Sequence, residues 1–140
     1  MKNANLKFFE LSPKYERDNI KLGLSRIKKA LQELDNPCKN IPAVQIIGTN
    51  GKGSIAAYLE SILFEAKRNF GVTTSPHLFD VCERIRVNKK NINKTDFEKI
   101  YRLIEKKFST FELTRFEKSF AAHLIFLTIK KLNYLFLKLV

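Results

Sequence analysis

The apolar positions along this chain keep two rhythms, one helical and one extended. Over 18–34, Ile20, Leu24, Ile27, Leu31 and Leu34 recur at alternating steps of four and three, the single stripe of an amphipathic helix. Asp35-Asn36-Pro37 closes it, because proline disfavours a helical conformation in the residue before it. Val44-Gln45-Ile46-Ile47, set between Pro42 and Gly48, predicts a short buried strand. Over 53–68 the spacing of Ile55, Leu59, Ile62, Leu63 and Ala66 is helical again. The run 70–74 predicts a second strand, ended by Ser75-Pro76. Strand, glycine loop, helix and strand within about 30 residues make a βαβ unit, so the two strands are expected to run parallel.

Beyond it, 84–93 predicts a hairpin turning at Asn88-Lys89-Lys90-Asn91. Two helices follow, each opened by a capping box: Thr95 with Glu98, and Thr114 with Glu117. The second carries Phe116, Phe120, Leu124 and Leu127 on one face. Finally, 132–140 is apolar and β-prone, interrupted by Asn133 and Lys138, and predicts a third core strand. The fold class is therefore α/β with a mostly parallel sheet. No repeat, low-complexity tract or Gly/Ser-rich linker divides the chain. Its 140 residues, 44% of them apolar, suit one core.

The chemistry concentrates in Gly48-Thr49-Asn50-Gly51-Lys52-Gly53-Ser54, between the first strand and its helix. Glycines let successive backbone N–H groups turn toward phosphate oxygens, and the following helix presents its positive end to the same anion. Lys52 is the candidate catalytic residue, neutralising the outer phosphates, and the Ser54 hydroxyl is a candidate magnesium ligand. The generic phosphate-loop pattern is not met to the letter. Ile46 stands where its first glycine belongs, and Gly53 separates Lys52 from the hydroxyl residue.

The formal net charge of +12 favours anionic partners. The lysines are scattered rather than clustered, so nucleic acid is not the expected partner; a basic nucleic-acid-binding protein stays as the weaker alternative. Cys38 and Cys82 sit in no metal-ligand spacing, and two histidines do not suggest a zinc site, so free thiols are expected. Met1 to Phe9 lacks a secretory apolar run, and no stretch of about 18 apolar residues is present to span a membrane. A cytoplasmic setting without membrane partners is expected. His123 is read as a half-buried structural residue, His77 as an exposed loop residue, and Lys28-Lys29 and Lys106-Lys107 as solvated helix faces.

Gly48-Thr49-Asn50-Gly51-Lys52-Gly53-Ser54 resembles the phosphate loop of the folylpolyglutamate synthase/dihydrofolate synthase family, relatives of the Mur ligases. Mur ligases usually carry threonine directly after the lysine, so Gly53-Ser54 favours the folate branch. Further matches keep the same order: Ile20-Lys21-Leu22-Gly23-Leu24 with Arg26-Ile27, Asn36-Pro37, Thr74-Ser75-Pro76-His77-Leu78, Glu83-Arg84-Ile85-Arg86-Val87-Asn88, and Leu113-Thr114 with Phe116-Glu117. The resemblance implies a phosphate-loop, Mur-ligase-like ATP-binding domain, with 1–140 as its N-terminal part. It implies ATP and Mg2+ as cofactors, and dihydropteroate or reduced folate with L-glutamate as substrates. ATP phosphorylates a carboxylate, and the amine of glutamate attacks the acyl phosphate. Residue by residue, Gly48, Thr49, Asn50, Gly51, Lys52, Gly53 and Ser54 match the nucleotide segment, and Ser75 matches a magnesium ligand. Asn19, Ile20, Lys21 and Leu22, with Thr114, Arg115, Phe116 and Glu117, match positions lining the pteroate pocket; Arg84 matches a folate-side or structural arginine. Thr114 and Glu117 have the simpler alternative of capping their helix.

Departures bear on activity. Family members are considerably longer, add a C-terminal domain and are expected to be monomeric. Their third strand leads to a glutamate that binds magnesium; counted from Glu117 without a gap, Lys138 stands in its place and would repel the metal. The expectation is a truncated or frameshifted copy, inactive alone and poorly folded. A stand-alone nucleotide-binding module is the main alternative.

Overall fold

One five-stranded sheet with helices on both faces organises residues 22–138, the part of the chain that the computed structural model describes. In chain order the elements are α1 (Ser25–Gln32), β1 (Ala43–Ile46), α2 (Lys52–Glu65), β2 (Phe70–Thr74), a 3-10 turn (Val81–Arg84), β3 (Ile85–Val87), β4 (Lys90–Asn91), α3 (Lys94–Lys107), α4 (Arg115–Ile129) and β5 (Tyr134–Lys138). The strands lie in the order β1-β5-β2-β3-β4. β5 pairs parallel with both β1 and β2, while β3 and β4 are antiparallel. The βαβ unit is thus present, with β1 and β2 parallel as expected, but β5 is inserted between them.

Alternation along the strands sorts the core into two faces. Phe70, Val72 and Phe136 meet Leu59 and Leu63 of α2 on one side. On the other, Ile85, Leu135, Phe97, Ile104 and Leu127 pack with α1, α3 and α4. Gly71 points to that second face, where a Cβ would stand 2.4 Å from Leu132 Cδ1. Only a residue without a side chain lets α4 settle so close to β2.

Several elements depart from their sequence reading. The helix expected over 18–34 begins, within the described residues, only at Ser25. Gly23 takes a φ of 101°, and Leu24 is exposed although it belongs to the stripe. Asp35 and Asn36 adopt left-handed backbone beyond its end, a conformation that short polar side chains tolerate best. β1 is an edge strand, not a buried one, and Val44 is 45% exposed. In α2 the buried residues are Ala56 and Glu60, while Ile55 and Ile62 face outward.

The hairpin turns more tightly than expected. Asn88 and Lys89 alone form the loop, both at positive φ, which matches the right-handed strand twist. α3 is capped by Asn93, whose side chain accepts from Asp96 N–H, rather than by Thr95. The Thr114–Glu117 capping box of α4 forms as read.

Candidate functional site

The glycine loop leaves the C-terminal end of β1 and enters α2 at Lys52, so it lies at the edge where the parallel strands β1, β5 and β2 all finish. Ligands of open α/β sheets bind at that edge, where the chain order of neighbouring strands breaks. Gly51 is the N-cap of α2, at a φ of 75°, and has no side chain with which to cap the helix. The first-turn N–H groups of α2 therefore lack side-chain acceptors, and no acidic residue occupies that turn. Gly48 also lies at positive φ, and 48–51 are exposed. Lys52 Nζ folds back to donate to the carbonyls of Gly48 and Thr49. It thereby tightens the loop and keeps its charge at the mouth of α2. A cradle of outward N–H groups with one ammonium is an oxyanion receptor, suited to phosphate.

Ser75 follows directly from β2 at the same edge, and is buried, in a cis peptide bond to Pro76. Glu83 folds the loop after it, accepting from the N–H groups of Leu78 (2.8 Å), Phe79 (3.0 Å) and Asp80 (2.9 Å). Those bonds hold its carboxyl below the ordinary carboxylate range. Asp80 in turn caps the 3-10 turn through Cys82 N–H, which lowers its own pKa. Leu78 and Phe79 at the tip are almost fully exposed.

Two buried polar groupings brace this edge, and the partners in both went unforeseen in the sequence. Arg86 makes a two-pronged contact with Glu60 of α2 and donates to Glu83 O (2.9 Å) and Thr74 Oγ1 (3.4 Å). It ties the helix behind the glycine loop to the strand that presents Ser75. His123 is deeply buried, more than a half-buried reading allows. Its Nδ1 lies 2.6 Å from Thr73 Oγ1, and its Nε2 reaches Tyr101 Oη and Ser119 Oγ. Burial, with the Arg84 charge adding, holds its pKa down to about 3. Burial also pushes the Tyr101 hydroxyl up. The spacing of Ser119 and His123, one helical turn apart on an apolar helix, is the one local signal for this grouping.

The other candidates are dispersed. Arg84 is 2% exposed and donates from Nε to His77 Nδ1 at 2.9 Å, which gives both a structural partner at the Ser75 loop. Glu117 caps α4 and accepts from Arg26 of α1, with an ion pair at 3.3 Å. Thr114 supplies the reciprocal cap. Phe116 and Arg115 lie on the outer side of α4, and Leu22 is exposed. Asn19, Ile20 and Lys21 fall outside the described residues. Cys38 and Cys82 are free thiols. The thiol of Cys38 is raised by burial, and that of Cys82 is raised to about 11 by burial and then by Asp80.

A divalent cation would find the hydroxyls of Ser54 and Ser75 at this edge. Magnesium sites use carboxylates together with substrate phosphates. Among the described residues no group of three His, Cys, Asp or Glu side chains gathers anywhere. In register with Ile46 and Thr74, on the strand between them, stands Lys138. The described side chains alone do not compose a metal site.

Fold and loop together define a phosphate-loop α/β domain of the Mur-ligase-like type. No protein-family model matches the sequence. Individual relatives do. Dihydrofolate synthetase of Saccharomyces cerevisiae is 40% identical over 100 residues, which are 70% of this chain and 23% of that protein. A folylpolyglutamate synthase/dihydrofolate synthase crystallised with Mn, AMPPNP and L-glutamate superposes with a TM-score of 0.82 at 30% identity, over 91% of this chain and 32% of that one. For the Yersinia pestis enzyme complexed with AMPPNP and Mn the TM-score is 0.83 at 30% identity, over 96% and 32%. The chain belongs to the folylpolyglutamate synthase/dihydrofolate synthase family, and its match spans about a quarter or less of the length of curated relatives such as the Saccharomyces cerevisiae protein. Among the described residues no helix is long and apolar enough to cross a membrane.

Proposed function

We propose that this chain is the ATP-phosphate-binding portion of a carbon–nitrogen ligase that joins L-glutamate to dihydropteroate or a reduced folate with release of ADP. The observation that carries the reading is the loop 48–54, opening α2 at the C-terminal edge of the sheet with Gly51 in a left-handed cap and Lys52 folded over its carbonyls. Carboxylates acylate amines poorly because oxide is a bad leaving group. Transfer of the γ-phosphoryl group to the carboxylate gives an acyl phosphate, and attack by the glutamate amine then expels phosphate. The part played by Gly48, Thr49, Asn50, Gly51, Lys52, Gly53 and Ser54 is to hold and neutralise the phosphates. A divalent ion such as Mg2+, carried in with ATP, would supply further positive charge, and the hydroxyls of Ser54 and Ser75 are the side chains that would hold it. Ser75 and Arg84, braced by Glu83 and Arg86, shape the neighbouring side of that edge. A cytoplasmic setting, where ATP is supplied and thiols stay reduced, goes with this reading.

The chain length relative to its relatives supports binding without turnover by the 140 residues alone. Calorimetry of MgATP against the parent and Lys52→Ala tests the binding: saturable binding is expected in the parent, weakened about tenfold or more in the variant. Equal affinity in the two would remove Lys52 from the site. Incubation with dihydropteroate or tetrahydrofolate, glutamate and MgATP is expected to release no ADP above a no-enzyme control. Glutamylated product would show that the chain is sufficient for catalysis.

A further inference from the structure

We propose that Lys138 is a second phosphate-binding cation of the glycine-loop site, so that this chain takes a nucleoside triphosphate with little dependence on a divalent metal. The inference rests on the nucleotide reading above. Its basis is the position of one residue in the sheet. β5 is the central of the three parallel strands, and Lys138 is its last described residue, in register with Ile46 on one side and Thr74 on the other. Ile46 leads into the glycine loop and Thr74 into Ser75, so Lys138 stands between the two segments that frame the edge. Neighbouring strands are about 4.8 Å apart, which puts Lys138 within one strand spacing of each.

Strand alternation fixes the face. Phe136, two residues earlier, belongs to the cluster under α2 with Val72 and Leu59, so Lys138 points to the same face. α2 packs over β5, and its N-terminal turn begins at this edge. Lys138 thus shares a sheet face with α2, at the edge where the glycine loop opens that helix. Among the described residues no acidic side chain forms an ion pair with it. Half-buried at the end of an otherwise apolar core strand, it is poorly placed for a purely solvating role.

A triphosphate brings several negative charges to one spot, and ordinary sites meet them with a lysine and a divalent ion. Here the donor set for the ion is limited to hydroxyls, while a fixed ammonium occupies the central register position. Lys52 and Lys138 would share the neutralisation. The arrangement disfavours a metal by repulsion and replaces part of its charge.

The test is ATP titration of the full 140-residue chain in Mg2+ and in EDTA, for the parent, Lys138→Gln, Lys138→Glu and Lys138→Arg, with Lys106→Gln as a control for general surface charge. The expected result is parent affinity in EDTA within about threefold of that in Mg2+, a loss of about tenfold in EDTA for Lys138→Gln, retention in Lys138→Arg, and recovery of metal dependence in Lys138→Glu. Circular dichroism checks that each variant keeps the parent fold. Parent binding that requires Mg2+, or Lys138→Gln binding as the parent does in EDTA, would overturn the proposal. Absence of ATP binding in both buffers would instead remove the nucleotide reading. Tripolyphosphate then decides for Lys138: binding weakened tenfold by Lys138→Gln supports it, and binding indifferent to that change overturns it.

Discussion

His123 shows how a single buried side chain makes stability depend on pH. Its imidazole is held at about 3 in the fold, against 6.5 as the ordinary value, so between those limits the unfolded chain binds the extra proton. Stability then rises with pH through that window and falls as the solution is acidified below 6.5. By pH 5 the loss from this one group is about 2 kcal/mol. Urea midpoints between pH 7 and 5 are expected to fall in the parent and to stay nearly level in His123→Gln, whatever the variant's baseline. A parent midpoint that does not move over that range would contradict the buried neutral imidazole. Gly71 offers a second test at this scale. A methyl there meets Leu132 Cδ1 at 2.4 Å and Leu127 Cδ2 at 2.7 Å, so Gly71→Ala is expected to cost about 1–3 kcal/mol. Combining it with Leu132→Val should restore part of the thermal midpoint.

Among the elements, α2 and β3 are joined by a contact that neither reveals alone. Glu60 is 7% exposed in its side chain and Arg86 21%. Arg86→Met leaves a buried carboxylate without its partner, at a cost of about 2–3 kcal/mol, below that of a wholly buried pair because Arg86 keeps some water. Replacing both residues with Met should be less harmful than Arg86→Met alone, which a double-mutant cycle in urea will show. The same pair explains what the sequence hid. Glu60 and Arg86 lie 26 residues apart, and no local rhythm links them. What was legible was local: the strand runs, the Thr114–Glu117 cap, the hairpin, and the glycine loop, whose requirements all fall within seven neighbouring residues. Asn93 caps α3 because the helix begins at Lys94, which puts Thr95 inside its first turn. The α2 stripe was misread because periodicity reports apolar positions, not which neighbours exist to cover them. The strand order was out of reach for the same reason: β5 reaches its place between β1 and β2 by a contact across most of the chain.

For the whole molecule, that uncovered stripe has a consequence. Glu60 faces Arg86, and Lys89 lies over Phe64, so those positions of α2 look toward β3 and the hairpin. At about 100° per residue, Ile55, Tyr58 and Ile62 project from the opposite flank of α2, and β1, which α2 also touches, is the edge strand among the described residues. Tyr58 is 71% exposed and Ile62 62% exposed, and Val44 adds to the patch. An apolar flank beside a strand edge that no other described strand pairs invites association. The 140-residue chain is expected to self-associate at micromolar concentration, and Tyr58→Lys with Ile62→Lys to shift it toward monomer in light scattering. A parent that stays monomeric at high concentration would show that this flank is harmless.

The place of β5 also sets a timetable. β1 has no other strand partner among the described residues, and its Ala43 pairs with Leu135. A chain emerging from its N-terminus at about 5–20 residues per second therefore carries β1 unpaired for on the order of ten seconds before its partner exists. During that interval the β2–β3–β4 meander can close, because its partners are near in sequence, but the phosphate-loop edge cannot. Nascent chains arrested before residue 134 should thus be cleaved by protease around 43–47, and chains that have released β5 should resist. Among the described strands β5 emerges last, so the phosphate-loop edge would be the last part of this sheet to come into being, assembled when β5 slides between two strands that have been waiting for it.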